Sequence, residues 1–123
     1  MTIKRIDPDN RWSEAVIHNN VIYYTSVPEN LDADIVAQTA NTLAAIDVML
    51  ERVGSDKSKI LDATIFLADK ADFAGMNQAW DAWVVAGSAP VRCTVQALLM
   101  KPEYKVEIKI VAAIDWLDRF CFA

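Results

Sequence analysis

Charge set among apolar residues marks the positions that could do chemistry. APVRCTVQ, residues 89–96, holds a single arginine, Arg92, in a stretch that otherwise reads as buried strand. Further on, KVEIKIV, residues 105–111, alternates Lys105, Glu107 and Lys109 with valine and isoleucine, Glu107 standing fifteen positions past Arg92. Side chains alternate across a strand. Val91, Cys93, Val95 and Ala97 fall on one face, continued by Val106, Ile108 and Ile110, and this is the face expected under helices. Arg92, Thr94 and Gln96 fall on the other, with Lys105, Glu107 and Lys109. A solvated face with cross-strand ion pairs accounts for the pattern. So does a face covered by other subunits, with Arg92 and Glu107 lining a wet crevice.

The two strands read as a hairpin joined across MKPEY. Folded symmetrically about Lys101 and Pro102, it sets Arg92 opposite residue 111 or 112 and Glu107 opposite Gln96. Four to five residues at about 3.3 Å each then separate the pair by roughly 15 Å. Within one chain that gap is too wide for one small ligand. Across an interface, Arg92 of one subunit can face Glu107 of the next.

The elements that must hold these strands follow from periodicity. IKRID (3–7) reads as a short strand closed by Pro8, and SEAVIHNNVIYYTS (13–26) as two strands around Asn19-Asn20, since asparagine tolerates the positive φ of a tight turn. Ile35, Leu43, Ile46, Leu50 and Val53 keep helical spacing over 34–53. Asp32 or Asp34 can cap that helix, and Gly54 suits the position after its end. ILDATIFL (60–67) is rich in strand formers. A second helix, 71–85, carries Phe73, Met76, Trp80 and Trp83 at steps of three, four and three, a core stripe. Strands at 91–99 and 105–114 complete the order β-β-β-α-β-α-β-β. Two helices on one face of a mixed or antiparallel sheet is the architecture expected of an α+β domain over 1–114. Tyr23 and Tyr24 point oppositely, one to the core and one to the crevice. The tail DWLDRFCFA (115–123) is an apolar extension.

Composition sets limits. One domain fits 123 residues, with about two thirds of the unfolded surface buried. Twelve basic against seventeen acidic residues leave a net charge of −5 and no Lys/Arg run, which disfavours a phosphate-gripping nucleic-acid binder. MTIKRIDPDN lacks an apolar leader and no window reaches the ~18 apolar residues of a membrane span, so a cytoplasmic protein is expected. Cys93 and Cys121 have no metal-ligand spacing, and no zinc site is expected. His18, beside the Asn-Asn turn, reads as a solvent-facing hairpin residue. The apolar share of 54% leaves surface to bury between subunits.

RWSEAV (11–16), VIYYTS (21–26), DFAGMNQAW (72–80), PVRCTV and KVEIKIVAA together resemble the YjgF/RidA family, also labelled L-PSP endoribonuclease, over nearly the whole chain. VPENLDAD adds a likeness to its small bacterial YoaB-like branch. The resemblance implies a chorismate-mutase-like fold, a six-stranded mixed sheet with two helices on one face. It implies a homotrimer with sites between subunits and cofactor-free hydrolysis of enamines and imines, such as 2-aminoacrylate, to 2-keto acids and ammonia. Arg92 matches the arginine that binds the substrate carboxylate, whose planar fork suits that group. Glu107 matches the glutamate that positions or activates water. Thr94 falls where the family holds water or imine nitrogen with a main-chain carbonyl, and Asn77 matches a helix asparagine near the pocket. Trp12, Ser26 and Tyr24 fall among the substrate-binding positions. Trp12 replaces a ligand-contacting tyrosine, Ser26 a glycine at the pocket rim, and Lys109 a second glutamate, so the departures surround the carboxylate anchor without touching it. The same anchor would serve a non-catalytic binder of 2-keto or amino acids. The family's ribonuclease label is a third reading.

Overall fold

The computed structural model describes residues 2–114, so the 115–123 extension and Cys121 lie outside the described residues. Strand β1 (Lys4–Ile6) leads into β2 (Ala15–His18) and β3 (Val21–Ser26). Asn19 and Asn20 sit at φ 53° and 62°, the left-handed pair that a two-residue hairpin turn requires. Helix α1 (Ile35–Arg52) begins where the Asp34 carboxylate accepts the Ala37 N–H, and the chain leaves it through Gly54 at φ 80°. Strand β4 (Ile60–Leu67), helix α2 (Phe73–Trp83), β5 (Val91–Gln96) and β6 (Val106–Ala113) follow. This is the expected order, with six strands and two helices.

The sheet runs β1-β2-β3-β6-β4-β5. The β5–β6 hairpin is overturned: β5 lies parallel to β4, while β6 slots antiparallel between β3 and β4. Helix α2 is the crossover that returns the chain alongside β4, as a parallel neighbour requires. Glu107 is therefore level with Phe66, not Gln96, and Arg92 is level with Ala63, not residue 111 or 112. The central position goes to the strand with the more apolar buried face: Val106, Ile108, Ile110 and Ala112 are all fully buried. β5, polar on alternate residues, takes the edge.

The face assigned to β5 is reversed for the same reason. Laterally paired residues share a face. Arg92, Thr94 and Gln96 pair with Ala63, Ile65 and Leu67, which are buried beneath the helices. Val91, Cys93 and Val95 share the open face with Glu107 and Lys109. Both helices cover the other face, α1 over the middle with Leu43, Ile46 and Leu50, α2 with Met76 and Trp80. Trp80 and Met76 are core, as their spacing predicts, whereas Phe73 remains 47% exposed and Trp83 half-buried. Tyr24 packs against the core and Tyr23 faces the open side. His18 is half-buried with its Nδ1 shielded from solvent, not the solvent-facing residue expected of a turn.

Candidate functional site

Arg92 leaves the edge strand toward α2, where three side chains receive it. Its Nη1 donates to Asn77 Oδ1 at 2.7 Å. Its guanidinium carbon lies 5.3 Å from the centre of the Trp80 ring and 5.9 Å from that of Phe73, within cation–π range. Phe73, Asn77 and Trp80 are spaced four and three apart, so one helix face presents all three. Among the described residues no carboxylate lies within 4 Å of the guanidinium. The anchor is fixed by neutral partners and retains donors for an anion.

Beside it, Thr94 carries a shielded hydroxyl without a hydrogen-bond partner. With Leu67, Ala71, Phe73 and Gln96 it lines a depression of about 500 Å³. β5 is a sheet edge, so part of its main chain has no strand partner.

Glu107 belongs to a different surface. It lines a groove of about 560 Å³ on the open face with Trp12, Tyr23, Thr25, Tyr104 and Lys109. Trp12 stands 61% exposed at its rim, held by a turn in which the Asp9 carboxylate accepts the N–H groups of Arg11 and Trp12 at 2.6 and 2.9 Å. Those two donors, Trp12's foremost, hold the Asp9 carboxyl below the usual carboxylate range. Tyr24 also reaches the groove's lining, and burial pushes its hydroxyl up, against a smaller opposite effect from the Ser26 hydroxyl.

The sequence candidates thus divide. Arg92, Asn77 and Thr94 gather at the β5–α2 edge, and Trp12, Tyr24 and Glu107 gather in the groove. Ser26 joins neither: it is 3% exposed and its hydroxyl donates to the Thr42 carbonyl at 2.9 Å, so its side chain turns into the core rather than to a pocket rim. Phe73, Tyr23 and Tyr104 were missed as site residues. Phe73 and Tyr104 lie within quoted stretches, DFAGMNQAW and MKPEY, but nothing in their spacing separates a ring that receives a cation or a ligand from one that packs.

The family profile of endoribonuclease L-PSP matches residues 2–114. RutC family protein YoaB of Escherichia coli K12 is 76% identical over 114 residues, 93% of this chain and 100% of that protein. A crystal structure of a YjgF family member from Neisseria meningitidis is 48% identical with a TM-score of 0.89, covering 93% of this chain and 96% of that one. More distantly, 2-iminobutanoate/2-iminopropanoate deaminase of E. coli K12 is 28% identical over 76% of this chain and 79% of its own.

Proposed function

The chain belongs to the endoribonuclease L-PSP family, to which the RutC and YjgF proteins belong, and we propose that it hydrolyses small carboxylate-bearing imines and their enamine tautomers to 2-keto acids and ammonia. The supporting observation is the Arg92 guanidinium, half-buried between two aromatic rings and an amide, positioned by neutral groups and, among the described residues, without an internal anion. A distant relative named for 2-imino acid deamination supports the substrate class.

One protomer has the anchor on one face of its sheet and Glu107 on the other. The reading therefore requires a second copy, and a homotrimer with three equivalent clefts brings the Arg92 edge of one subunit to the Glu107 groove of the next. Arg92 takes the substrate carboxylate in two parallel hydrogen bonds. Water held by Glu107, with the Thr94 main-chain carbonyl beside it, adds to the imine carbon. Its proton passes by way of Glu107 to nitrogen, and collapse of the carbinolamine expels ammonia and leaves the ketone. The rate gain comes from holding water and carbon in register more than from strong acid or base. Any part Ser26 plays runs through its main chain.

The test generates an imine in situ with an amino-acid oxidase and follows 2-keto acid and ammonia release. Wild-type protein should accelerate release and Arg92→Ala should not. Undiminished release in the variant overturns the proposal. Tight 2-keto acid binding without any acceleration would make the protein a binder rather than an enzyme.

A further inference from the structure

One polar side chain in the core belongs to no surface yet ties together the two connections that supply Val27 and Tyr104 to the Glu107 groove. Gln38 lies on the buried stripe of α1, with no exposed area. Its Nε2 donates among the carbonyls of Glu103, Leu31 and Ala33 at 3.0, 3.2 and 3.3 Å. Its Oε1 accepts the Lys105 N–H at 2.9 Å. Leu31 and Ala33 belong to the connection between β3 and α1, which begins at Val27. Glu103 and Lys105 end the connection between β5 and β6, next to Tyr104. Val27 and Tyr104 both line the groove that holds Glu107.

Among the described residues, Leu99 and Tyr104 of the second connection are half-buried. Leu98 and Met100 are 92% and 91% exposed, so they contribute no packing within the protomer. Its other bonds run from Ala97 N–H to Leu67 O, from Ala68 N–H to Lys105 O and, internally, from Tyr104 N–H to Lys101 O. A hydrogen bond inside a protein, shielded from water, is strong and costly to leave unmade. One carboxamide thus ties two loops separated by some seventy residues of chain to the same turn of helix.

We propose that Gln38 is a positioning residue for the Glu107 half of the site, setting the distance between its two rims and so the placement of the attacking water. The inference rests on the deaminase reading for its catalytic consequence, but the strut itself is measurable without it. Only a side chain that both donates and accepts can span these partners. Glutamate keeps the Lys105 contact and loses the donors, and methionine of similar length loses both.

Hydrogen exchange by NMR on the full-length wild-type protein should show slow exchange at the Gln38 side-chain NH₂ and the Lys105 amide. Exchange at solvent-exposed rates would overturn the strut outright, with no variant needed. In Gln38→Met protection at Lys105 should be lost, and in Gln38→Glu it should survive while the 27–33 connection loosens. Because Arg92 is held by Asn77, Trp80 and Phe73 of α2 and not by the two tied connections, kcat should fall by about 10- to 100-fold with KM held within about threefold. An unchanged kcat, or a KM rising in step with the loss of kcat, would overturn the positioning role. Should wild-type protein release no keto acid from any imine, the deaminase reading falls. Gln38 then stands or falls on exchange at its own NH₂ and at the Lys105 amide.

Discussion

Arg92 and Glu107 point to opposite faces of one sheet, Arg92 level with Ala63 beneath the helices and Glu107 level with Phe66 on the open side. If both serve one ligand, they come from different copies, and that can be read by complementation. Arg92→Ala and Glu107→Gln should each be inactive alone. Refolded together in equal amounts they should regain activity, because about one site in four in randomly assembled trimers unites an intact Arg92 with an intact Glu107 from its neighbour. A mixture that stays inactive would place both groups in one protomer's site, against this geometry.

The crossing of α1 and α2 depends on the absence of a side chain at Gly75. A Cβ there would meet Ile35 Cγ2 at 2.5 Å, and a β-branched isoleucine at a helix start has little rotamer freedom to retreat. Alanine is the better helix former by about 1 kcal/mol. Overpacking of this kind costs about 1–3 kcal/mol, so Gly75→Ala should be neutral to destabilising rather than stabilising. Its denaturant midpoint should fall or hold, and affinity for a 2-keto acid should weaken as Asn77 and Trp80 move with α2.

The turn at Asp9 links pH to Trp12. Its carboxylate is held below the ordinary aspartate value of 3.8 by the N–H groups of Trp12 and Arg11. A depressed carboxyl stabilises the ordered turn fully above 3.8, and that contribution is lost as pH falls through the lower folded value. Trp12 emission, isolated by subtracting a Trp12→Phe spectrum, should be steady from neutral pH downward and change only at acid pH. Asp9→Ala should show the acid spectrum at pH 7. A titration centred above 3.8 would remove Asp9 from the account.

What local pattern can carry was legible in the residues: the helical stripe of α1, the Asn19-Asn20 turn, and the β4 run from Ile60 to Leu67. Which strand pairs with which was not, since β5 and β6 are neighbours in sequence with a plausible turn between them. Only the α2 crossover decides that β4 comes between. The face of β5 was misread because alternation names two faces without saying which is covered. Val91 at 73% and Val95 at 42% exposure sit where an edge strand meets no helix, while Arg92 is accepted under α2 by rings and an amide. Gln38 had a visible sign, a polar residue on a buried stripe, whose meaning depends on two loops distant in sequence.

Asn77 offers the sharpest test of the anchor's charge state. Its Oδ1 accepts from Arg92 Nη1 at 2.7 Å, so a carboxylate at the same place would form an internal ion pair with the guanidinium. Asn77→Asp is nearly isosteric and should fold as the wild type does. It should nonetheless bind a 2-keto acid at least about tenfold more weakly, about 1.4 kcal/mol, because the ligand must displace a competing anion. Asn77→Ala removes one positioning bond but adds no charge, and should weaken binding less. Calorimetric titration of both variants orders them. If aspartate bound the keto acid as tightly as asparagine, the ligand's carboxylate would not be meeting Arg92.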